Sequence, residues 1–271
     1  MVSPSEPIVS LANDRIKRLV RLRNRRDRDR SGHFLVEGFR ELRRAVAAGV
    51  VIDEIYACPG LFLGGNEAEL VEGCAAAGAE VFEVAEAPFR KASYRDRPEG
   101  LLGVARQFAM GLDRLSPPAA PLLLIAEAIE KPGNLGTMLR TSEAAGADAV
   151  IVCDPATDPF NPNVVRASLG TLFDVPLAVA STADTIVWLR ERGIRSLAAT
   201  PGATIAHHDA DLTGPVALVI GSEQYGLTDA WLEGANQQIV IPMPGSVDSL
   251  NAAMSAGILL FEAVRQRSLG R

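Results

Sequence analysis

Residues 241–263 read IPMPGSVDSLNAAMSAGILLFEA, and the two halves of this stretch have opposite character. The first, IPMPGSVDS, carries two prolines, a glycine and three small polar residues. Proline lacks the amide hydrogen and glycine is conformationally loose, so this half is neither a regular helix nor a central strand. The second half has helical spacing, with Leu250, Met254, Gly257, Ile258, Phe261 and Val264 recurring on one side. Ser249 stands where an N-cap belongs, and Arg265 and Arg267 sit in the last turn, where cations complement the dipole. A shaped loop therefore runs into a buried helix N-terminus and can present backbone N–H and C=O groups to a ligand. An ordinary strand–loop–helix connection reads the same way from this stretch alone.

The chain on either side gives the loop its setting. Apolar runs at 122–129 (LLLIAEAI), 149–153, 175–179, 196–200, 216–221 (VALVIG) and 238–241 predict strands, with helices after Asn134 and at 163–172, 183–192 and 229–234 between them. Such alternation predicts a mostly parallel sheet in an α/β domain. Three loops follow apolar strands and precede helices, at 130–135, 221–226 and 241–250. In open α/β sheets ligands sit beyond the carboxyl ends of the strands, so these loops are expected to line one site. None of them matches G-x-G-x-x-G, the P-loop or the G-x-S-x-G elbow.

The first half is also α/β, with strands expected at 33–36, 50–57, 79–84 and 101–108 and helices at 14–30, 38–49, 66–77 and 88–94. Residues 1–13 are polar and are expected to fray. The segment 109–121, AMGLDRLSPPAAP, holds three prolines and no periodicity and reads as a linker. The expected domains are thus 1–108 and 122–271.

Charge is unevenly spread. The 271-residue chain carries a net −6, yet residues 15–44 hold twelve Lys or Arg against four acids. A basic arm on an acidic body is the electrostatic footprint of a polyanion-binding protein. After Leu22 the run RNRRDRDRSG has no apolar face and is either a solvated helix end or an arm that orders on binding. Arg18, Arg21, Arg23, Arg25, Arg26 and Arg28 are the candidate contacts to such a polyanion, because guanidinium groups fork onto phosphates. The three cysteines (Cys58, Cys74, Cys153) are scattered, which argues against a disulfide framework or zinc site and for a reducing, cytoplasmic setting. The histidines (His33, His207, His208) form no ligand pattern, so no metal is expected. No run of about 18 uncharged apolar residues occurs, and no apolar h-region opens the chain, so neither a membrane span nor a secretory leader is expected.

Three segments carry a family resemblance. EKPGNLGTMLRTSEAAGA (130–147), ALVIGSEQYGL (217–227) and IVIPMPGSVDSLNAAMSAGILLFEAVRQR (239–267) resemble, in order and spacing, the signature motifs of the SpoU (TrmH) branch of the SPOUT RNA methyltransferases. The resemblance spans about residues 121–267. FLVEGFRELRRAVAAG, in the first half, is similar to the ribosomal-protein-like substrate-binding module that often precedes that domain. The resemblance implies a parallel sheet with a deep trefoil knot, one of the few exceptions to the rule against knots. It also implies a homodimer, and methyl transfer from S-adenosyl-L-methionine to a ribose 2′-OH, here in 23S rRNA, without metal. A tRNA substrate, a non-catalytic RNA-binding module and a small-molecule α/β enzyme are the alternatives. Resistance methyltransferases of antibiotic producers share the two-domain plan, so this role is open as well.

The same resemblance implies the site. Gly221, Ile241 and Leu250 would contact the cofactor through loop backbone, with Gly226 and Met243 nearby. Asn134 and Arg140 match the family's N-x-G-x-x-x-R, and Ser249 and Asn251 match its S-L-N. Glu223 follows the Gly221–Ser222 turn and would orient Arg140 or Asn251. Arg stays protonated in nearly all settings, so Arg140 suits stabilising an alkoxide or holding a phosphate better than acting as base. Asn134, Ser249 and Asn251 are equally suited to helix capping. The family often continues S-L-N-V-S, and here Ala252–Ala253 removes that hydroxyl.

Overall fold

The computed structural model describes residues 6–270. Its first elements are α1 (Asp14–Arg21), α2 (Arg25–Ser31), β1 (His33–Glu37), α3 (Phe39–Ala47) and β2 (Ile52–Ala57). There follow α4 (Glu67–Ala76), β3 (Glu80–Glu83), α5 (Glu86–Ala92), β4 (Leu101–Arg106) and β5 (Leu122–Glu127). Next come α6 (Pro132–Ala144), β6 (Ala149–Cys153), α7 (Pro162–Ala167), β7 (Leu177–Ala180) and α8 (Thr182–Glu191). The last are β8 (Arg195–Ala199), β9 (Val216–Ile220), α9 (Asp229–Gly234), β10 (Gln237–Ile239) and α10 (Ala252–Leu269). The chain divides into two units: residues 6–108 with Asp158–Asp174, and Ala109–Thr157 with Val175 onward.

The first unit is built on a four-stranded sheet in the order β1-β4-β2-β3, antiparallel except for β2 with β3. One side packs Ile16, Leu19 and Leu22 of the N-terminal segment with Phe89, Leu35 and Leu102. On the other side Phe34 lies 4.7 Å from Phe160 and 6.2 Å from Phe173, centroid to centroid. This explains why residues 158–174, far along the sequence, belong to this unit: with α3 and Phe108 they complete the cover of this sheet face. Gly103 permits the packing, since a Cβ there would come within 2.6 Å of Leu42 Cδ2.

The single helix expected over 14–30 is two helices. Arg28 explains the break. Its Nη1 donates to the carbonyls of Leu22 (3.0 Å) and Arg23 (2.7 Å), capping the end of α1 with a guanidinium. The fraying expected of the N-terminus does not extend to Ile8, which pairs with β3: its N–H donates to Glu83 O at 2.8 Å and its carbonyl accepts from Ala85 at 3.0 Å. Residues 1–5 of that segment lie outside the described residues.

The second unit holds a six-stranded, wholly parallel sheet in the order β10-β8-β9-β5-β6-β7. Its central strands β5 and β9 are buried along their length, which is why they read as continuous apolar runs. Trp188, Leu189 and Trp231, from α8 and α9, pack with Leu123, Ile125 and Ile151 of the sheet. Helix α10 lies against α6, β9 and β5. Arg267 fastens its end: the guanidinium donates to the carbonyls of Leu212, Ala120 and Pro121 (3.0 Å each) and Gly214 (2.7 Å).

Two details of α10 differ from the sequence reading. The N-cap is Asn251, not Ser249: its Oδ1 accepts from the N–H of Ala253 (3.0 Å) and Met254 (3.3 Å). The buried face is Ala252, Ala253, Ala256, Leu259, Leu260 and Ala263, whereas Met254 is 63% exposed and Phe261 50%. Alanines let the helix axis approach its neighbours closely, and this rotates the bulkier stripe outward. Similarly α6 begins at Pro132, and Asn134 lies inside its first turn rather than at its cap.

Candidate active site

Strand β9 delivers the chain to Gly221, where only glycine fits. A Cβ at Gly221 would stand 2.3 Å from the backbone C and O of Gly226. Ser222 and Gly226 exchange backbone hydrogen bonds of 3.1 and 3.0 Å, and the Tyr225 N–H donates to Ser222 Oγ at 3.0 Å. Gly226 takes φ +69°, which favours glycine. The result is a closed turn that projects Glu223 and Tyr225 beyond the carboxyl end of β9.

A buried carboxylate anchors the far end of that turn. Glu127, the last residue of β5, is 1% exposed. Its Oε1 accepts from Thr182 Oγ1 (2.9 Å) and Thr228 Oγ1 (2.7 Å), and its Oε2 from the Thr228 N–H (2.9 Å). The sequence reading did not single it out. The available signal was an acid inside the apolar run LLLIAEAI, since charged groups are seldom buried without partners.

Between this turn and the loop that precedes α10 lies a cleft of about 400 Å³. Gly221, Gly226, Ile241, Met243 and Leu250 all line it, as do Glu223 and Ser249. Thr200 and Pro201, which follow β8, form a further wall that the sequence reading missed. The cleft sits past the carboxyl ends of β8, β9 and β10, where open α/β sheets bind ligands. Its volume falls in the roughly 300–1,000 Å³ range of small-molecule sites. Its walls are rich in backbone: the N–H groups of Ile241, Met243 and Leu250 have no hydrogen-bond partner among the described residues.

At the rim three of the candidate catalytic side chains form a chain of hydrogen bonds. Asn251 Nδ2 donates to Asn134 Oδ1 at 3.2 Å, and Asn134 Nδ2 donates to Glu223 Oε1. The cap fixes the direction. Asn251 Oδ1 is taken by the amides of α10, so its Nδ2 must face Asn134, whose own Nδ2 must then face the carboxylate. Glu223 Oε2 is buried and has no partner among the described residues. Glu223 thus orients Asn134, and in the single chain it does not meet Arg140. Arg140 is exposed on α6 with no hydrogen bond or ion pair among the described residues, and Ser249 lines the cleft without a hydrogen bond.

The basic arm is largely spent within the chain. Arg28 is 1% exposed and pairs with Asp158. Arg18 pairs with Glu54, and Arg23 donates to the carbonyls of Lys91, Ala92 and Ser93 at 2.7, 3.0 and 2.5 Å. These three leave the set of free RNA cations. Arg25 meets Asp29 at 3.6 Å across an exposed helix face, while Arg21 and Arg26 are exposed and unpaired among the described residues. No group of three or more His, Cys, Asp or Glu able to hold a metal occurs among the described residues. None of the described helices is long and apolar enough to cross a membrane.

A parallel α/β unit with a nucleotide-sized, backbone-rich cleft beyond its strand ends, joined to a small mixed unit, defines a ligand-binding α/β enzyme with an accessory domain. The chain belongs to the SpoU rRNA Methylase family, which residues 121–261 match, and residues 13–103 match the MRM3-like substrate binding domain. It is similar to the 23S rRNA (uridine(2479)-2′-O)-methyltransferase of Streptomyces viridochromogenes, with 33% identity over 92% of this chain and 88% of that one. It is also similar to a solved RNA 2′-O ribose methyltransferase (41% identity, 97% of this chain and 99% of that one, TM-score 0.85). An AdoMet-bound rRNA methyltransferase from Sinorhizobium meliloti shares 32% identity over 96% of this chain and 97% of its own, with a TM-score of 0.88.

Proposed function

We propose that the chain transfers the methyl group of S-adenosylmethionine to a ribose 2′-OH of 23S rRNA, working as a homodimer in the cytoplasm. The observation that carries this reading is the cleft with the Asn251–Asn134–Glu223 chain at its rim. The residues present fit the cofactor. Unpartnered N–H groups of Ile241, Met243 and Leu250 suit an adenine edge or a carboxylate, and the buried, unpaired Glu223 oxygen suits a cationic or hydroxyl neighbour. When bound, S-adenosylmethionine supplies an electrophilic methyl on a sulfonium.

The protein's share of the chemistry is positioning. The Gly221–Gly226 turn and the 241–250 loop hold the cofactor, and together form the trefoil knot that the family resemblance implies. Asn134 has one amide hydrogen on Glu223 and a second free to hold the ribose oxygen. Arg140 acts at the site of a second copy, since in its own chain it meets none of the rim residues. Its permanent charge stabilises the developing alkoxide or grips the adjoining phosphate, while the 2′-OH proton leaves to solvent as the oxygen–methyl bond forms and the methyl–sulfonium bond breaks. The exposed Met254 and Phe261 of α10, the helix packed on α6, give the apolar face for that second copy. Exposed cations on α1 and α2, Arg21, Arg25 and Arg26, add long-range attraction for RNA.

Transfer of tritiated methyl from S-adenosylmethionine to 23S rRNA, followed by nuclease digestion, tests the reading. A 2′-O-methylated nucleoside is the expected product. Label on a base, or none with the cofactor bound, would overturn it.

A further inference from the structure

A cavity of about 740 Å³ in the first unit takes no part in the site described above. Its floor is built around Arg95, whose guanidinium donates to Glu41 (2.7 Å), Glu99 and the carbonyl of Glu37 (3.1 Å). Gly38, with φ +106°, makes room for it: a Cβ there would lie 2.7 Å from Arg95 Nη2. Leu169, in the wall, adopts φ +53°, a strained value for a side chain of that size and one that clusters at functional places.

The lining sets four arginines (Arg40, Arg95, Arg97, Arg166) against four acids (Glu41, Glu67, Asp96, Glu99), and the two sets differ in how they are engaged. The wall acids are partly engaged, with Glu41 Oε2 and Glu67 Oε2 buried and without a partner among the described residues. Glu41 and Glu99 hold Arg95, and Glu67 accepts from the N–H of Leu63 (3.1 Å) and Gly64 (2.8 Å), leaving Asp96 as the unengaged acid. The wall cations are open. Arg40 and Arg97 are exposed with no hydrogen bond or ion pair among the described residues, and Arg166 meets only Asn163. Arg166 also stands 5.9 Å from the Tyr94 ring, which is 40% exposed. Arg40 and Arg97 line the hollow without partners among the described residues, Arg166 bonds only Asn163, and Tyr94 stands beside Arg166 next to the lining rather than in it; together they offer an unpaired nucleotide phosphate forks and a stacking surface.

We infer that this cavity anchors a single-stranded segment of the substrate RNA, with Arg40, Arg97 and Arg166 on its phosphates and Tyr94 stacked on a base. The inference rests on the RNA-directed reading above and deepens it, because it moves the anchor from the basic arm to a cavity. Electrostatic attraction by the arm then serves encounter, and the cavity serves affinity.

The test uses the full chain and a 23S rRNA transcript, with filter binding across a potassium chloride series. Arg40→Ala/Arg97→Ala/Arg166→Ala is expected to weaken binding by at least about tenfold and to flatten the log–log salt slope by about 2–3, since each lost phosphate contact removes roughly 0.7–0.9. Tyr94→Ala should weaken binding about tenfold with the slope unchanged, as lost stacking does. Unaltered far-ultraviolet circular dichroism and an unaltered urea-unfolding midpoint in both variants show that the fold is kept. Arg21→Ala/Arg26→Ala should cost less than the triple variant. Loss of binding in the triple variant supports the anchor even should the wild-type chain transfer no methyl. Wild-type affinity and slope in the triple variant, or a larger loss in the arm variant, would overturn it while leaving methyl transfer intact.

Discussion

The side-chain amide of Asn134 donates to the carboxylate of Glu223, joining the first turn of α6 to the turn after β9 across 89 residues of chain. Through Asn251 the same amide is tied to the cap of α10. Asn134→Ala and Glu223→Gln should therefore lower kcat for RNA methylation by about 10²–10³, the scale of removing one preorganised polar group. S-adenosylmethionine affinity should stay within about threefold, because the cofactor walls are mostly backbone. Single-turnover kinetics with isothermal titration separates the two quantities. Full activity in both variants would remove this pair from the mechanism.

Glu127 links β5 to Thr182 and Thr228, and Thr228 closes the segment that begins at Gly221. Glu127→Ala would leave buried donors unsatisfied and should cost about 2–4 kcal/mol in urea unfolding. It should also loosen cofactor binding, through the cleft wall that Thr228 fixes. Glu127→Gln keeps an acceptor and should recover most of the stability. Equal losses for the two variants would show that the charge, not the hydrogen-bond pattern, matters.

Arg28 and Asp158 form a buried pair that ties α2 to the segment completing the first unit. Removing one partner strands the other, so Arg28→Ala should cost about 3–5 kcal/mol. The double variant Arg28→Met/Asp158→Leu should be far milder for the same reason. Chemical denaturation of the three proteins checks this. A small loss in Arg28→Ala would mean that the guanidinium is free after all.

These residues mark where sequence reading succeeds and where it stops. The parallel sheet was legible because β5 and β9 are continuous apolar runs, and the cleft was legible because glycines, prolines and small polar residues follow β9 and β10. The bounds of α9 match the expected 229–234. The face of α10 was misjudged because alanine carries little hydrophobic signal yet packs closest. Arg28 was read as a surface cation because nothing local announces a partner 130 residues away. The assignment of residues 158–174 to the first unit depends on Phe160 and Phe173 meeting Phe34, a long-range contact with no local signature.

Glu262 accepts from Arg265 at 2.8 and 2.7 Å and from Gln266 at 2.8 Å. The Arg265 hydrogen bond is the main cause that holds its carboxyl down to about 2 from an ordinary 4.5. A lowered folded-state value adds stability that is complete above 4.5 and is lost as pH falls toward about 2. The stability gap between wild type and Glu262→Gln should be flat above about pH 5 and shrink below it. A gap that does not change across that window would refute the assignment.

Met254 and Phe261 are exposed on the helix that packs on α6, the helix bearing Arg140. Phe261→Glu, and Met254→Glu to the same end, should convert a dimer to monomer in light scattering and abolish methylation while preserving the fold by circular dichroism. Mixing Phe261→Glu with wild-type chain should restore nothing. A fully active monomer would contradict the role given to the second copy.

The central claim is tested most directly by incubating the protein with tritiated S-adenosylmethionine and unmodified 23S rRNA, then mapping the label by reverse-transcription stops at low nucleotide concentration. The expected result is one methyl per transcript at a single ribose, seen as a stop at low nucleotide concentration and as a gap at the same position in the alkaline-hydrolysis ladder, both lost with Asn134→Ala. Label spread over bases, or cofactor bound with no transfer to RNA, would contradict it.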